Sequence, residues 1–193
     1  MAPADDFDRA AAALAPLVAA LTPDELARPT PCAAWDVRAL VNHVVFGLRL
    51  FAASLRGEPL VSSDALARLR QVDQLGDDPS AAYLAAVAAF RDALGRPEVA
   101  GRTFATPIGP IPADGVAQMR VNELLVHGWD LARALGRPAA RPDDLAEQSL
   151  GRWRERIASM PREPGSPFGV EQPVPGAAPA IDRLAAFLGR SVA

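Results

Sequence analysis

Hydrophobic side chains recur at helical spacing along most of the chain. Phe7, Leu14, Leu17, Val18 and Leu21 share one face of a helix expected over residues 5–21. Thr22-Pro23 then gives the N-cap and first-turn pairing of a short turn. A loop with two prolines, residues 28–35, precedes a second helix expected over 36–56 with Asp36 at its start. Its stripe is Val37, Leu40, Val41, Val44, Leu48, Phe51 and Leu55. Arg38, Asn42, Arg49 and Arg56 lie opposite and are expected to face water, whereas His43 stands at the border of the apolar stripe beside Phe46, Gly47 and Leu50. A short helix is expected over 63–75. Asp78-Pro79 opens a third long helix, with Tyr83, Val87, Phe90 and Leu94 on one face and Gly95-Arg96-Pro97 at its end.

Residues 98–112 break the pattern. Segments 103–106 and 108–111 can pair as a small hairpin, limited by Pro107, Pro110 and Pro112. A long helix then runs from Asp114 or Gly115 until Gly136 and Pro138 end it. Another begins near Arg141-Pro142-Asp143-Asp144, with Leu150, Trp153, Ile157 and Met160 inward. Residues 161–179 hold six prolines and three glycines and are expected to wrap the surface. A last helix falls within 180–189. Four long amphipathic helices with little strand argue for a helical bundle, a single all-α domain over 1–193 with a small hairpin or irregular insert and a Pro-rich C-terminal tail from 161.

Composition narrows the class. Half of the 193 residues are hydrophobic, which argues against disorder, and the net charge of −3 gives no nucleic-acid footprint. The single cysteine excludes an internal disulfide. No apolar run long enough for a membrane span is expected, and the N-terminus is acidic where a signal peptide is basic, so the expectation is a cytoplasmic protein. All 20 basic residues are Arg, and Ala, Pro, Gly and Arg are abundant, as in a high-GC bacterial genome.

The chemistry concentrates at residues 120–136, RVNELLVHGWDLARALG. Glu123 and His127 stand four apart and stack on one helix face. Arg120 and Asp130 fall within about 60° of Glu123 on that face. Met119 and Val126 border the stripe on one side, Leu124 and Leu131 on the other. An acid and an imidazole framed by apolar surface are costly to bury without a partner, and a metal ion is one such partner. His43 is the only other histidine. His43, Glu123 and His127 would form a set of three protein ligands with open positions for water or substrate. The spacing also suits a surface hydrogen bond between Glu123 and His127, and a core-edge His43 satisfied within the fold.

The other reactive side chains have two readings each. Cys32 is expected as a small side chain in a packed loop, with a thiolate near the metal or a fourth ligand as the alternative. Trp35 is expected to close the base of the core, and Trp129 to serve packing or a dimer contact. Asp130 can accept a ring N–H of His127 and fix the imidazole, or pair with Arg133 or Arg120. Arg120 is expected in a surface pair, with an anionic substrate as the alternative. Tyr83 is expected at a core edge, with a hydrogen-bonding role in a cavity as the alternative.

Three segments carry a family resemblance. TPCAAWDVRALVNHVV (30–45) is similar to the opening motif of the maleylpyruvate isomerase N-terminal domain family, of the mycothiol-dependent type, within the DinB/YfiT-like metal-binding bundles. NELLVHGWDLARALGRP (122–138) resembles the second motif of that family. FGVEQPVPGAAPAIDRLAAFLGR, toward the C-terminus, is similar to the closing signature of an actinobacterial subfamily. The resemblance implies a DinB/YfiT-like four-helix bundle and carries the family's metal ligands onto His43, Glu123 and His127. It implies a divalent ion, zinc first, with nickel, iron or manganese also accommodated by such donors. It implies that the ion binds the sulfur of a low-molecular-weight thiol such as mycothiol or bacillithiol, for isomerisation or for transfer to an electrophile. The family's isomerase has a further C-terminal domain that this chain is expected to lack, which argues against maleylpyruvate as its substrate. The leading expectation is a metal-dependent thiol transferase or isomerase acting on a small electrophile. The alternatives are a metal-binding or dimerisation module without turnover and a metal-assisted hydrolase. Neither a nucleic-acid nor a membrane partner is expected; a homodimer is left open.

Overall fold

The computed structural model describes residues 3–33, 35–138, 140, 142–157, 162 and 169–192, without the side chains of 156 and 157. Its helices are α1 (Pro3–Ala19), α2 (Val37–Leu55), α3 (Ser63–Leu69), α4 (Pro79–Leu94), α5 (Ala113–Leu135), α6 (Asp143–Ile157) and α7 (Ala180–Phe187). Strands β1 (Thr103–Thr106) and β2 (Gly109–Pro112) lie between α4 and α5. The protein is thus mostly helical with one small sheet, as the spacing of apolar residues implies. The expected inward side chains of Ile157 and Met160 lie outside the described residues.

Local chemistry sets the ends of the elements. The Asp36 carboxylate accepts from the Ala39 amide at 2.8 Å and starts α2. Asp78 does the same for α4 through Ala81, with Pro79 in the first turn. Gly136 takes φ 62° and stops α5 in the left-handed region that glycine enters at low cost. The hairpin forms where two short segments were expected, with the second strand one residue later: Thr103 pairs with Pro112 and Thr106 with Gly109.

The core forms where α1 lies on α4 and α5 and where α2 lies on the same two helices. Phe7 and Phe90 are fully buried with ring centroids 4.6 Å apart, joining α1 to α4. Leu40 and Leu48 of α2 and Leu124 and Leu131 of α5 are fully buried in the same core. Tyr83 is inside this core and its hydroxyl donates to the Ala11 carbonyl at 2.9 Å, so it does not line a cavity. α7 packs on α5 and α6. α2 is also apolar enough by length and composition to cross a bilayer, with mean hydropathy 1.2, contrary to the expectation that no such run exists. Of that window 61% is buried inside the fold.

Two further expectations change. The helix expected over 63–75 stops at Leu69, because the chain beyond it is held on the polar side of α2. Arg38 reaches Asp73 at 2.7 Å, Asn42 donates to the Val72 carbonyl at 3.1 Å and accepts from the Gln74 amide at 2.6 Å, and Arg49 donates to the Gln74 side chain at 2.9 Å. The polar stripe of α2 is therefore the seat of a covering segment and not a bare, solvated face.

Candidate metal centre

Two helices bring the expected donors together. His43 comes from the middle of α2, and Glu123 and His127 from successive turns of α5, which packs against it. The His43 Nε2–H donates to Glu123 Oε2 at 3.0 Å, and His127 Nε2 lies 3.4 Å from the same oxygen. The imidazole rings stand edge to face with centroids 5.2 Å apart. One donor atom from each residue falls within 4.8 Å of the other two. Trp35 packs on the His43 ring at 4.4 Å and lies 5.8 Å from His127. It is half-buried, packs against the core as expected, and also lines the cavity.

The donor cluster sits in a cavity of ≈ 850 Å³. Its lining includes Cys32, Trp35, Val126, Trp153, Leu188 and Arg190 beside the donors' own side chains, and the polar residues Asp36, Arg38, Asn42, Arg70, Gln71 and Asp73. This volume lies in the range of small-molecule sites.

Burial and pairing set the charges. Burial works against ionised Glu123, yet hydrogen bonds from His127 and His43 and the nearby Arg120 charge hold its carboxyl well below the usual range. Burial also opposes a charged His127, but the Asp130 and Glu123 carboxylates outweigh it and push the imidazole up to about 9. His127 Nδ1–H donates to Asp130 Oδ2 at 3.0 Å, which is the first of the two roles open to Asp130. Asp130 is fully buried, and its other partner is neither Arg133 nor Arg120. Arg190 grips it instead, Nε to Oδ1 at 3.2 Å and Nη2 to Oδ2 at 3.0 Å.

Arg190 is the cavity-lining residue that pattern reading missed. It follows α7, far in sequence from the α5 motif, and lies in the segment whose family resemblance assigned it no role. A close backbone crossing delivers it: Gly189 has φ 95°, and a Cβ there would stand 2.6 Å from Gly169 Cα. Its Nη2 also lies 3.8 Å from Cys32 Sγ. Burial raises the Cys32 thiol pKa, so this sulfur is held protonated rather than as a thiolate. Cys32, His127 and Asp130 also approach one another closely, but both Asp130 oxygens are engaged by His127 and Arg190.

Two further side chains differ from their expected places. Trp129 is buried and donates to Asp182 at 2.7 Å, so it packs within its own chain. Arg120 is buried at 6% exposure, which overturns the surface pair expected for it.

Fold and site together define a helical protein with an imidazole–carboxylate–imidazole cluster at the wall of a large cavity. The profile of the mycothiol maleylpyruvate isomerase N-terminal domain family matches residues 7–132, which include every donor in the cluster. The chain belongs to that family. Two uncharacterized Mycobacterium tuberculosis proteins, Rv0738 of strain H37Rv and MT0763 of strain CDC 1551, are each 35% identical over 195 residues, covering 100% of both chains. The fold is similar to crystal structures of the mycothiol-dependent maleylpyruvate isomerase. A histidine-to-alanine mutant of that enzyme aligns with TM-score 0.65 at 17% identity, and the parent enzyme with 0.61 at 18%. Each alignment covers 80% of this chain and 70% of the isomerase.

Proposed function

We propose that this chain is a divalent-metal-dependent thiol transferase or isomerase, using a low-molecular-weight thiol such as mycothiol as co-substrate. The observation that carries the reading is the convergence of His43 Nε2 and His127 Nε2 on one Glu123 oxygen at the wall of the ≈ 850 Å³ cavity. The donor set suits a divalent ion. Donors held at about 2.1 Å from a tetrahedral zinc stand about 3.4 Å apart, and the two separations here, 3.0 and 3.4 Å, are close to that spacing. Two imidazoles and a carboxylate serve zinc first, with nickel, iron and manganese also accepted. The whole chain reads as one metal-binding domain of four principal helices.

His43, Glu123 and His127 would hold the ion. When bound, it would supply a Lewis acid that favours the ionised form of a thiol. Asp130 would keep the Nδ1 proton on His127, which fixes the tautomer and aims Nε2 into the cluster. Arg190, clamped on Asp130, holds that carboxylate in place and keeps it ionised. Trp35 stacks on His43 and restricts ring rotation. Burial favours the protonated form of the chain's only cysteine, the nucleophilic sulfur in this reading is that of an external thiol, and the cavity has room for it together with a small electrophile.

The test is metal analysis of protein prepared without chelator, followed by turnover of a generic electrophile with and without mycothiol. One equivalent of metal, its loss in folded His43→Ala and His127→Ala, and mycothiol-dependent turnover are the expected results. Turnover without thiol makes the protein a hydrolase, and metal without turnover makes it a binding module. Full metal content in both alanine variants overturns the ligand assignment.

A further inference from the structure

Arg120 is a buried charged side chain on the helix that carries Glu123, and the arrangement above leaves its role unexplained. It lies one helical turn before Glu123 on α5. It is 6% exposed, and its Nε has no hydrogen-bond partner among the described residues. Its guanidinium lies over the Phe51 ring at 4.3 Å. It also fills a notch in α2: a Cβ on Gly47, one turn after His43, would meet Arg120 Nη1 at 2.5 Å. A guanidinium cannot shed its charge in a protein, and a buried N–H of it without an acceptor is costly. The negative charge acting on it is Glu123, the carboxylate at the middle of the donor cluster.

We infer that Arg120 is a positioning residue that sets the charge of the His43/Glu123/His127 centre, weakening its hold on a cation and strengthening its hold on an anionic sulfur. This rests on the metal reading given above. The reasoning is one of sign. Glu123 alone supplies a negative charge among the three donors, and Arg120 offsets it. A divalent ion then meets a site that is neutral overall, so the loaded centre carries close to two positive charges. Such a centre favours a further anion, and a thiolate is the anion the proposed reaction requires. A scaffold residue that merely propped Glu123 would act the other way, since its loss would loosen a ligand and weaken metal binding.

The experiment compares wild type, Arg120→Met and Arg120→Lys, each checked for helix content by circular dichroism. Zn²⁺ affinity is measured by competition with a chromophoric chelator. The Co²⁺ forms are then titrated with 2-mercaptoethanol across pH, following the sulfur-to-cobalt charge-transfer absorption. Arg120→Met is expected to bind Zn²⁺ about tenfold or more tightly than wild type, with the pH midpoint of the sulfur band raised by about one unit. Arg120→Lys, which keeps the charge, is expected to stay near wild type in both. Should the Met variant fail to fold, Arg120→Gln carries the same expectation. A neutral variant that binds Zn²⁺ no tighter, or a Lys variant that behaves like the neutral one, overturns the inference and leaves the metal reading intact. Wild-type protein that takes up neither ion overturns the metal reading, and the inference with it.

Discussion

Stripped of divalent cations, the protein should lose stability as pH rises from neutrality toward 9. The cause is His127, whose side chain is 7% exposed and lies between two carboxylates. Asp130 accepts from Nδ1 at 3.0 Å, and Glu123 stands 3.4 Å from Nε2. Burial alone would favour the neutral ring, but the carboxylates win and raise the pKa from 6.5 to about 9. A raised folded-state pKa means that the folded chain holds this proton more tightly than the unfolded one. The stabilisation is fully present below the unfolded value and is lost as pH climbs through the folded one. At about 1.4 kcal/mol per unit, the gap is worth roughly 3 kcal/mol. Urea melts of chelator-treated protein between pH 6 and 9 read it directly. Asp130→Asn, which removes one of the two anions, should flatten much of the slope. A cation taking the Nε2 position has to displace the same proton, so Zn²⁺ affinity should move oppositely and rise by up to about tenfold per pH unit over this window. A metal-free protein equally stable at pH 6.5 and 9, or an Asp130→Asn variant with the wild-type slope, would refute the reasoning.

Three other substitutions probe the parts separately. Gly189→Ala forces a side chain into left-handed backbone and against Gly169, so it should cost roughly 2–3 kcal/mol and lower the thermal midpoint; an unchanged midpoint contradicts the crossing. Cys32→Ser should leave Zn²⁺ content and affinity as in wild type, because its sulfur groups with His127 and Asp130 and not with His43 and Glu123; a tenfold loss in chelator competition would make Cys32 a ligand. Tyr83→Phe removes the hydroxyl that donates to the Ala11 carbonyl and should cost about 1 kcal/mol in urea melts, with metal content unaffected; a loss of metal would tie the core tyrosine to the centre.

The helices were legible because burial in a helical protein imposes a period, and the stripe Val37, Leu40, Val41, Val44, Leu48 displays it. Caps at Asp36 and Asp78 and the stop at Gly136 were legible for a similar reason, since each depends on a residue type at one local position. The segment after α3 was not. Its course is decided by Arg38, Asn42 and Arg49 on another helix, and polar side chains that receive a covering loop look in sequence like side chains that face water.

The same distinction divides the candidate site. Glu123 and His127 are neighbours through one helix, so their spacing put them on one face but suited a surface hydrogen bond equally well; His43 stood out as the only other histidine, and the family resemblance joined the three. Arg190 had no such signal. Its place beside Asp130 depends on two glycines twenty residues apart whose backbones cross, a contact that no helical period encodes. Arg120 was misjudged for a related reason. Its position on the helix was read correctly, but a guanidinium on a polar stripe is ordinarily a surface group. What buries it is a missing side chain across the interface, at Gly47 on α2. A notch is invisible to a reading that scores the residues present, and it is the notch that brings a permanent positive charge to the centre. The electrostatics of this site therefore follow as much from the glycine on α2 as from the three donors that the sequence displays.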